Sequence, residues 1–206
     1  MIRRKKGLII VISAPSGAGK TSLCKRLLQT SPLFYYSVSF TTRPPRKNEI
    51  EGVDYYFVSR EEFQKMIERG EFVEWAEVHG HMYGTSAKLI DEAIKAKKEV
   101  VLEVDVKGGT EIKRRYPDSV LIFLLPPSWE ELEKRLRNRM TESDKEIKQR
   151  LARAKKEVEY APYYDYLVIN DDINKALEKL LAIIEAERCR MKRFPTEELK
   201  NFISNE

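Results

Sequence analysis

The chain predicts an α/β fold of three layers, α/β/α, built on a parallel core sheet. Two observations carry this reading. Short β-branched runs recur between amphipathic helical patterns along most of the 206 residues. The first run also passes through a glycine-rich turn directly into a helix, as a buried parallel strand leading into a nucleotide-type loop does.

The organising stretch is LIIVISAPSGAGKT, residues 8–21. Its first half is strand-like, Pro15, Gly17 and Gly19 break the strand, and Lys20-Thr21 open a helix. Such a turn aims backbone N–H groups at an anion, and the helix N-terminus adds partial positive charge. Lys20 can reach the β/γ-phosphates and the Thr21 hydroxyl can ligate Mg²⁺. The match to G-x-x-x-x-G-K-[ST], the P-loop pattern, fails at one position, where Ala14 replaces the first glycine. Alanine is acceptable there if the backbone keeps φ negative. Residues 14–22 (Ala14, Pro15, Ser16, Gly17, Ala18, Gly19, Lys20, Thr21 and Ser22) are therefore the expected ATP-binding loop.

Composition bounds the rest. The length suits one domain, and 42% hydrophobic residues can fill a core. With 38 Lys+Arg against 33 Asp+Glu the formal charge is only +5, and acidic residues are interspersed throughout, so no concentrated basic face for nucleic acid is expected. Two distant cysteines, Cys24 and Cys189, offer neither a disulfide framework nor metal-ligand spacing, which favours a reducing compartment. The basic residues 3–6 before an apolar run imitate a signal peptide, but that run stops at Pro15. No segment is long enough to span a membrane. The chain reads as cytoplasmic.

The helix after the loop carries Leu23, Leu27 and Leu28 and stops at Ser31-Pro32. YYSVSF (35–40) and DYYFVS (54–59) read as strands, separated by a polar, proline-broken segment. Ser59 and Glu62 form a capping box for a helix ending at Gly70. FVEWAEV (72–78) alternates as a half-buried antiparallel strand does, and a turn at Gly80 follows. Residues 35–86 thus read as a strand-rich insert. A helix over 87–97, strands at 100–104 and 119–125, and capping boxes at Ser128/Glu131 and Ser143/Glu146 restore the α/β rhythm. A short strand over 166–169, a closing helix from Ile173 and a tail over 194–206 complete the chain. There are no internal repeats and no low-complexity tract.

Several residues admit two readings on their own. Arg43 and Arg46, three apart around Pro44-Pro45, can fork a phosphate dianion or form an ordinary solvated basic loop. Glu74 can be a base-reading carboxylate or an exposed strand residue. Glu103 and Asp105 share one face of a strand end, where an acidic group can organise Mg²⁺ through water. Arg135 and Arg139 lie one turn apart on a helix and Arg150 falls on the next, suiting either a phosphate lid or salt bridges to nearby Glu. Arg137 and Arg153 read as surface charges. His79 and His81, flanking Gly80, read as turn residues with no metal role.

APSGAGKT (14–21), SVSFTTRPPR (37–46), GVDYYF (52–57), FVEWAEVHGHMYGT (72–85) and LEVD (102–105) together resemble the guanylate kinase family, in its order and spacing. The resemblance runs from about residue 7 to 181. It implies a core (1–34, 87–126 and 161–193), a GMP-binding lobe (35–86), a helical lid (127–160) and ATP:GMP phosphotransfer with Mg²⁺, GMP and dGMP being the acceptors. It further implies that Arg43, Arg46, Tyr55 and Tyr83 hold the acceptor phosphate. Glu74 would read guanine, helped by Ser39, Gly84, Thr85 and Asp105. Lys20, Arg43, Arg135, Arg139 and Arg150 would stabilise the transferring group, and Asn170 would lie near adenine. Glu103 is assigned to Mg²⁺ through water with Thr21, although the family often has the shorter Asp there. The expected partners are ATP and GMP, with no nucleic acid or membrane and with the oligomeric state open. A ribose bisphosphate kinase and a non-catalytic protein-binding module on the same architecture are the alternatives.

Overall fold

The computed structural model describes residues 6–78, 80–138, 144–197 and 200. The chain begins with β1 (Ile9–Ser13), α1 (Lys20–Thr30), β2 (Phe34–Tyr36), β3 (Phe40–Thr41) and β4 (Tyr56–Phe57). It continues through α2 (Arg60–Glu68), β5 (Phe72–Val78), β6 (His81–Ser86), α3 (Ala87–Lys95), β7 (Glu99–Glu103) and α4 (Val106–Arg115). Then come β8 (Val120–Leu125), α5 (Trp129–Arg137), α6 (Asp144–Val158), β9 (Tyr166–Ile169) and α7 (Ile173–Arg188).

Five strands form a wholly parallel sheet in the order β2-β7-β1-β8-β9, with β1 in the middle. Every residue of β1 is buried, which explains its uninterrupted apolar run. Alternation splits that run between two layers. Ile10 and Ile12 pack with Leu23 and Leu27 of α1 and Leu180 of α7, whereas Ile9 and Val11 pack with Ile90 of α3 and Ile112 of α4. The three-layer architecture predicted from the alternating pattern is present.

A second sheet, β4-β3-β6-β5, mixes parallel and antiparallel pairs. It has its own small core of Phe63, Met66, Phe72 and Met82. Here the sequence reading and the structure differ in three places. The stretch 35–40 divides between the two sheets, with β2 in the parallel one and β3 in the mixed one. Residues 81–86, given no element of their own after the turn, form β6, and His81 pairs with Val78 instead of sitting in the turn. Helix α4 had no helical signature, because Gly108 and Gly109 interrupt it. His79, Arg139 and the Ser143 half of the third capping box lie outside the described residues.

The remaining caps form as their spacing requires. Ser59 Oγ accepts from Glu62 N at 3.1 Å and Ser128 Oγ from Glu131 N at 3.1 Å. Helices α5 and α6 close on each other through Leu132, Leu136 and Ala154. Among the described residues no helix is long and apolar enough to cross a membrane.

Candidate active site

The C-terminal ends of β1 and β7 converge, and two cavities open beside them, of about 780 and 670 Å³. Both fall in the range of small-molecule sites. The first is lined by Ala14, Pro15, Ser16, Gly17, Gly19, Lys20, Thr21 and Ser22 from the loop after β1, with Arg150 and Arg153 opposite on α6.

The loop keeps its shape for local reasons. Gly17 and Gly19 both sit at φ 93°, a left-handed conformation that disfavours side chains. A Cβ at Gly19 would also lie 2.4 Å from Asn170 Nδ2, and one at Gly17 3.0 Å from Leu136 of α5. Ala14 is buried in the core beside β1 and has no positive φ, so alanine fits where the strict motif has glycine. Ala18 lies behind the loop, fully buried, and its carbonyl accepts from Asn170 Nδ2 at 2.8 Å. Asn170 is thus placed as a brace on the loop, and it does not line the cavity.

Lys20 Nζ donates to the Val104 carbonyl at 2.8 Å, and Thr21 Oγ1 to Glu103 Oε1 at 2.5 Å. Both phosphate-type residues therefore rest against the end of β7. Arg150 Nη1 reaches Ser16 Oγ at 3.3 Å, tying α6 to the loop. Arg135 is engaged elsewhere, with Glu131 at 2.9 Å and the Asn170 carbonyl at 3.1 Å, and lines neither cavity.

The second cavity lies between the parallel sheet and the mixed sheet. Ser39, Tyr55, Glu74, Tyr83 and Gly84 line it with Glu103 and Asp105. A bulge between Phe72 and Glu74 resets β5, so that Glu74, Ala76 and Val78 face the cavity while Trp75 points out, 47% exposed. An exposed polar edge is therefore the wrong picture of this strand: its concave side is the cavity wall. Glu74 Oε1 accepts from Thr85 Oγ1 at 2.5 Å, and Thr85 is fully buried behind it. Burial raises the Glu74 carboxyl above its ordinary value, Asp105 adds to the rise, and the Thr85 bond opposes it. Gly84 allows the rings of Phe72 and Phe63 to approach, since a Cβ there would lie 2.8 Å from the former.

Asp105 caps α4 by accepting from Gly108 N at 2.9 Å, and its other oxygen lies 3.9 Å from Arg153 Nη2. Arg43 is nearly buried. Its guanidinium bonds to Glu49 at 2.7 Å and to the Pro44 carbonyl at 2.8 Å, with its carbon 5.4 Å from the centre of the Tyr55 ring. Arg46 is exposed, and its backbone N–H donates to Glu49 at 2.8 Å. Both arginines stand outside the cavity wall itself, behind Tyr55.

Sequence reasoning read one residue only in part here. Arg153, read as a surface charge, is exposed and ion-paired with Glu157 as such a charge is, but it also lines both cavities, as do only Thr21 and Asp105 among the described residues. Its signal was helical phase: Arg153 lies three residues beyond Arg150, on the same face. Arg137 is a surface charge as read, paired with Glu133 and Asp144. Tyr36 was also passed over, and it lines the second cavity.

The strand–P-loop–helix unit and the second cavity beside it are the arrangement of a nucleoside monophosphate kinase, the class to which the comparisons assign the chain. The sequence profile of the family described as guanylate kinase matches residues 6–187. The chain is 53% identical over 194 residues to a guanylate kinase of Myxococcus xanthus, covering 94% of this chain and 93% of that one. It is 49% identical to one of Desulfitobacterium hafniense, covering 94% and 97%. The crystal structure of guanylate kinase from Anaplasma phagocytophilum superposes with a TM-score of 0.79 at 34% identity, covering 97% of this chain and 95% of that one. The chain belongs to the guanylate kinase family, and its reaction is phosphoryl transfer from ATP to GMP. Neither a ribose bisphosphate kinase nor a non-catalytic module is favoured by these matches.

Proposed function

We propose that the first cavity takes ATP and the second GMP, and that the phosphoryl group crosses between them at Thr21, Asp105 and Arg153. The observation that carries this reading is the adjacency of the two cavities, with only those three residues, among the described ones, common to both walls. The loop N–H groups and Lys20 bind the β/γ-phosphates, for which Lys20 exchanges its present acceptor, the Val104 carbonyl. Arg150 and Arg153 bring positive charge from α6 to the equatorial oxygens, with Arg135 and Arg139 as further lid cations. The acceptor phosphate oxygen attacks in line, and no covalent enzyme intermediate forms.

Thr21 and Glu103 place a hydroxyl and a carboxylate oxygen side by side at the cavity mouth, and this donor pair suits Mg²⁺. The ion would neutralise phosphate charge, and it draws most of its ligands from phosphate and water.

Glu74 accepts from guanine N1–H and the exocyclic amine, while Thr85 fixes its carboxylate and Ser39, Gly84 and Asp105 complete the base pocket. Adenine has an acceptor at N1, so the desolvated carboxylate would lose its partner. Arg43, Arg46, Tyr55 and Tyr83 receive the acceptor phosphate when the lobe (35–86) and lid (127–160) close over the core and exclude water. Free thiols at Cys24 and Cys189 suit a cytoplasmic enzyme whose partners are the two nucleotides.

A coupled assay with GMP, dGMP, AMP and ribose phosphates as acceptors tests the reading. GMP and dGMP should be used and AMP rejected, and Lys20→Ala should abolish transfer. Equal use of AMP, or full turnover by the Lys20 variant, would sink it.

A further inference from the structure

Glu49 is unassigned so far, yet it holds the acceptor-side arginine loop together. One carboxylate oxygen accepts from Arg43 Nη2 at 2.7 Å and the other from the Arg46 backbone N–H at 2.8 Å. The Glu49 N–H returns a bond to the Arg46 carbonyl at 3.0 Å, closing the turn over Lys47-Asn48 that follows Pro44-Pro45. Both side chains are largely withdrawn from solvent, 12% exposed for Arg43 and 17% for Glu49. Arg43 is held on its other sides by the Pro44 carbonyl and by the rings of Tyr55 and Phe57, its carbon 5.4 and 6.0 Å from their centres.

We infer that Glu49 is a positioning residue for the acceptor phosphate: it orients Arg43 and fixes the Arg43–Arg46 turn, and it remains bonded when the phosphate binds. This rests on the reading of Arg43 and Arg46 as phosphate ligands. A guanidinium has five N–H donors in a rigid fork; the bonds to Glu49 and Pro44 use two of them, and the Tyr83 side chain engages a further one. The remaining donors are left for an anion, in an orientation fixed before it arrives. Arg43 is nearly buried, so removing the carboxylate would strip its counter-charge and free its rotamers together. The exposed Arg46 side chain depends on Glu49 only through the backbone. Its guanidinium can therefore swing onto the phosphate while its Cα stays in place. The Glu49 carboxyl is held below the ordinary carboxylate value, first by the Arg43 bond and then by the Arg46 N–H, so it stays anionic through the neutral range.

The test compares GMP with guanosine, which lacks the phosphate, by calorimetric titration of the full chain and of Glu49→Ala, Glu49→Gln and Arg43→Ala. Glu49→Ala should weaken GMP binding on the order of tenfold. Guanosine affinity and the KM for ATP should hold within about twofold. Glu49→Gln keeps the shape and one acceptor but turns an amide N–H toward the Arg46 N–H, so its GMP affinity should fall in between. Equal losses for GMP and guanosine would mean a general lesion of the lobe and overturn the inference. Tighter GMP binding would overturn it too, because Glu49 would then compete with the phosphate. If Arg43→Ala weakens GMP and Glu49→Ala does not, the inference falls and the phosphate reading stands. If Arg43→Ala leaves GMP affinity intact, both fall.

Discussion

Replacing Glu74 by Gln separates recognition from stability, because the two should move in opposite directions. Glu74 Oε1 already accepts from Thr85, so in the proposed site the rest of the carboxylate is what guanine would meet. A glutamine can keep one acceptor there, but its amide then presents a donor to a guanine donor. One charge-assisted bond is lost, worth about 1.5–3 kcal/mol, and a buried donor is left unpaired, costing about 1–3 kcal/mol more. A total near 3 kcal/mol corresponds to roughly a hundredfold fall in kcat/KM for GMP, while the KM for ATP stays put. Stability should rise. The folded carboxyl titrates above its ordinary value of 4.5, chiefly through desolvation, so the fold penalises its ionised form. The stability carried by the protonated carboxyl is complete below 4.5 and is lost as pH rises through the raised value. Gln carries no such penalty. The variant should therefore melt higher than the parent at pH 7, and the gap should close on acidification. Coupled kinetics and thermal melts at pH 7 and pH 4 measure both effects. A Gln variant with GMP use within threefold of the parent, or one that melts lower at pH 7, would refute the reasoning.

Further outcomes follow from the donor side. Gly19→Ala places a methyl 2.4 Å from Asn170 Nδ2 at φ 93°, so it should cost about 2 kcal/mol or more in denaturant unfolding and abolish ATP binding. Asn170→Ala frees that space but loses the bond to Ala18, costing about 1–3 kcal/mol. Arg153→Ala should lower kcat by at least tenfold if Arg153 meets the phosphoryl group in transit. Arg137→Ala, which removes only exposed ion pairs, should stay within about twofold; equal effects of the two changes would place Arg153 among the surface charges.

The parts of this molecule legible in its sequence are those with local causes. β1 announced itself because both its faces are buried, and the caps at Ser59 and Ser128 because they involve only neighbours in sequence. Helix α4 was missed for a non-local reason. A Cβ at Gly109 would lie 2.4 Å from Tyr164 Oη, and one at Gly108 3.1 Å from Glu74 Oε2, so tertiary contacts require the two glycines that disguise it. The turn of Glu74 toward the cavity comes from a bulge, and periodicity alone cannot register one extra residue. The place of Arg153 on both cavity walls went unread because its partners, Asp105 and Glu157, include one 48 positions away. The family resemblance proposed its residues as a set, whereas their side-chain partners, Glu49 above all, came only from geometry.

The tip of β7 and the residues just beyond it make the donor and acceptor sides one site. Glu103 receives Thr21, the Val104 carbonyl receives Lys20, and the Asp105 carbonyl receives Ser13 Oγ at 3.3 Å, so three consecutive residues set the height of the phosphate loop. The Asp105 side chain faces the other way in function: it caps α4, whose first turn must be glycine where Glu74 approaches, and it lies opposite Arg153 of the lid. A shift of this segment would therefore move Lys20 and Glu74, the proposed donor lysine and guanine reader, together. That rigidity has a chemical use. In-line transfer needs two phosphates brought to near-attack distance, and a common strand end fixes their separation before lobe and lid contribute any closing motion. In the proposed site the glycine loop grips the donor, and the fixed length between Val104 and Gly108 would decide where the acceptor must lie to receive its phosphoryl group.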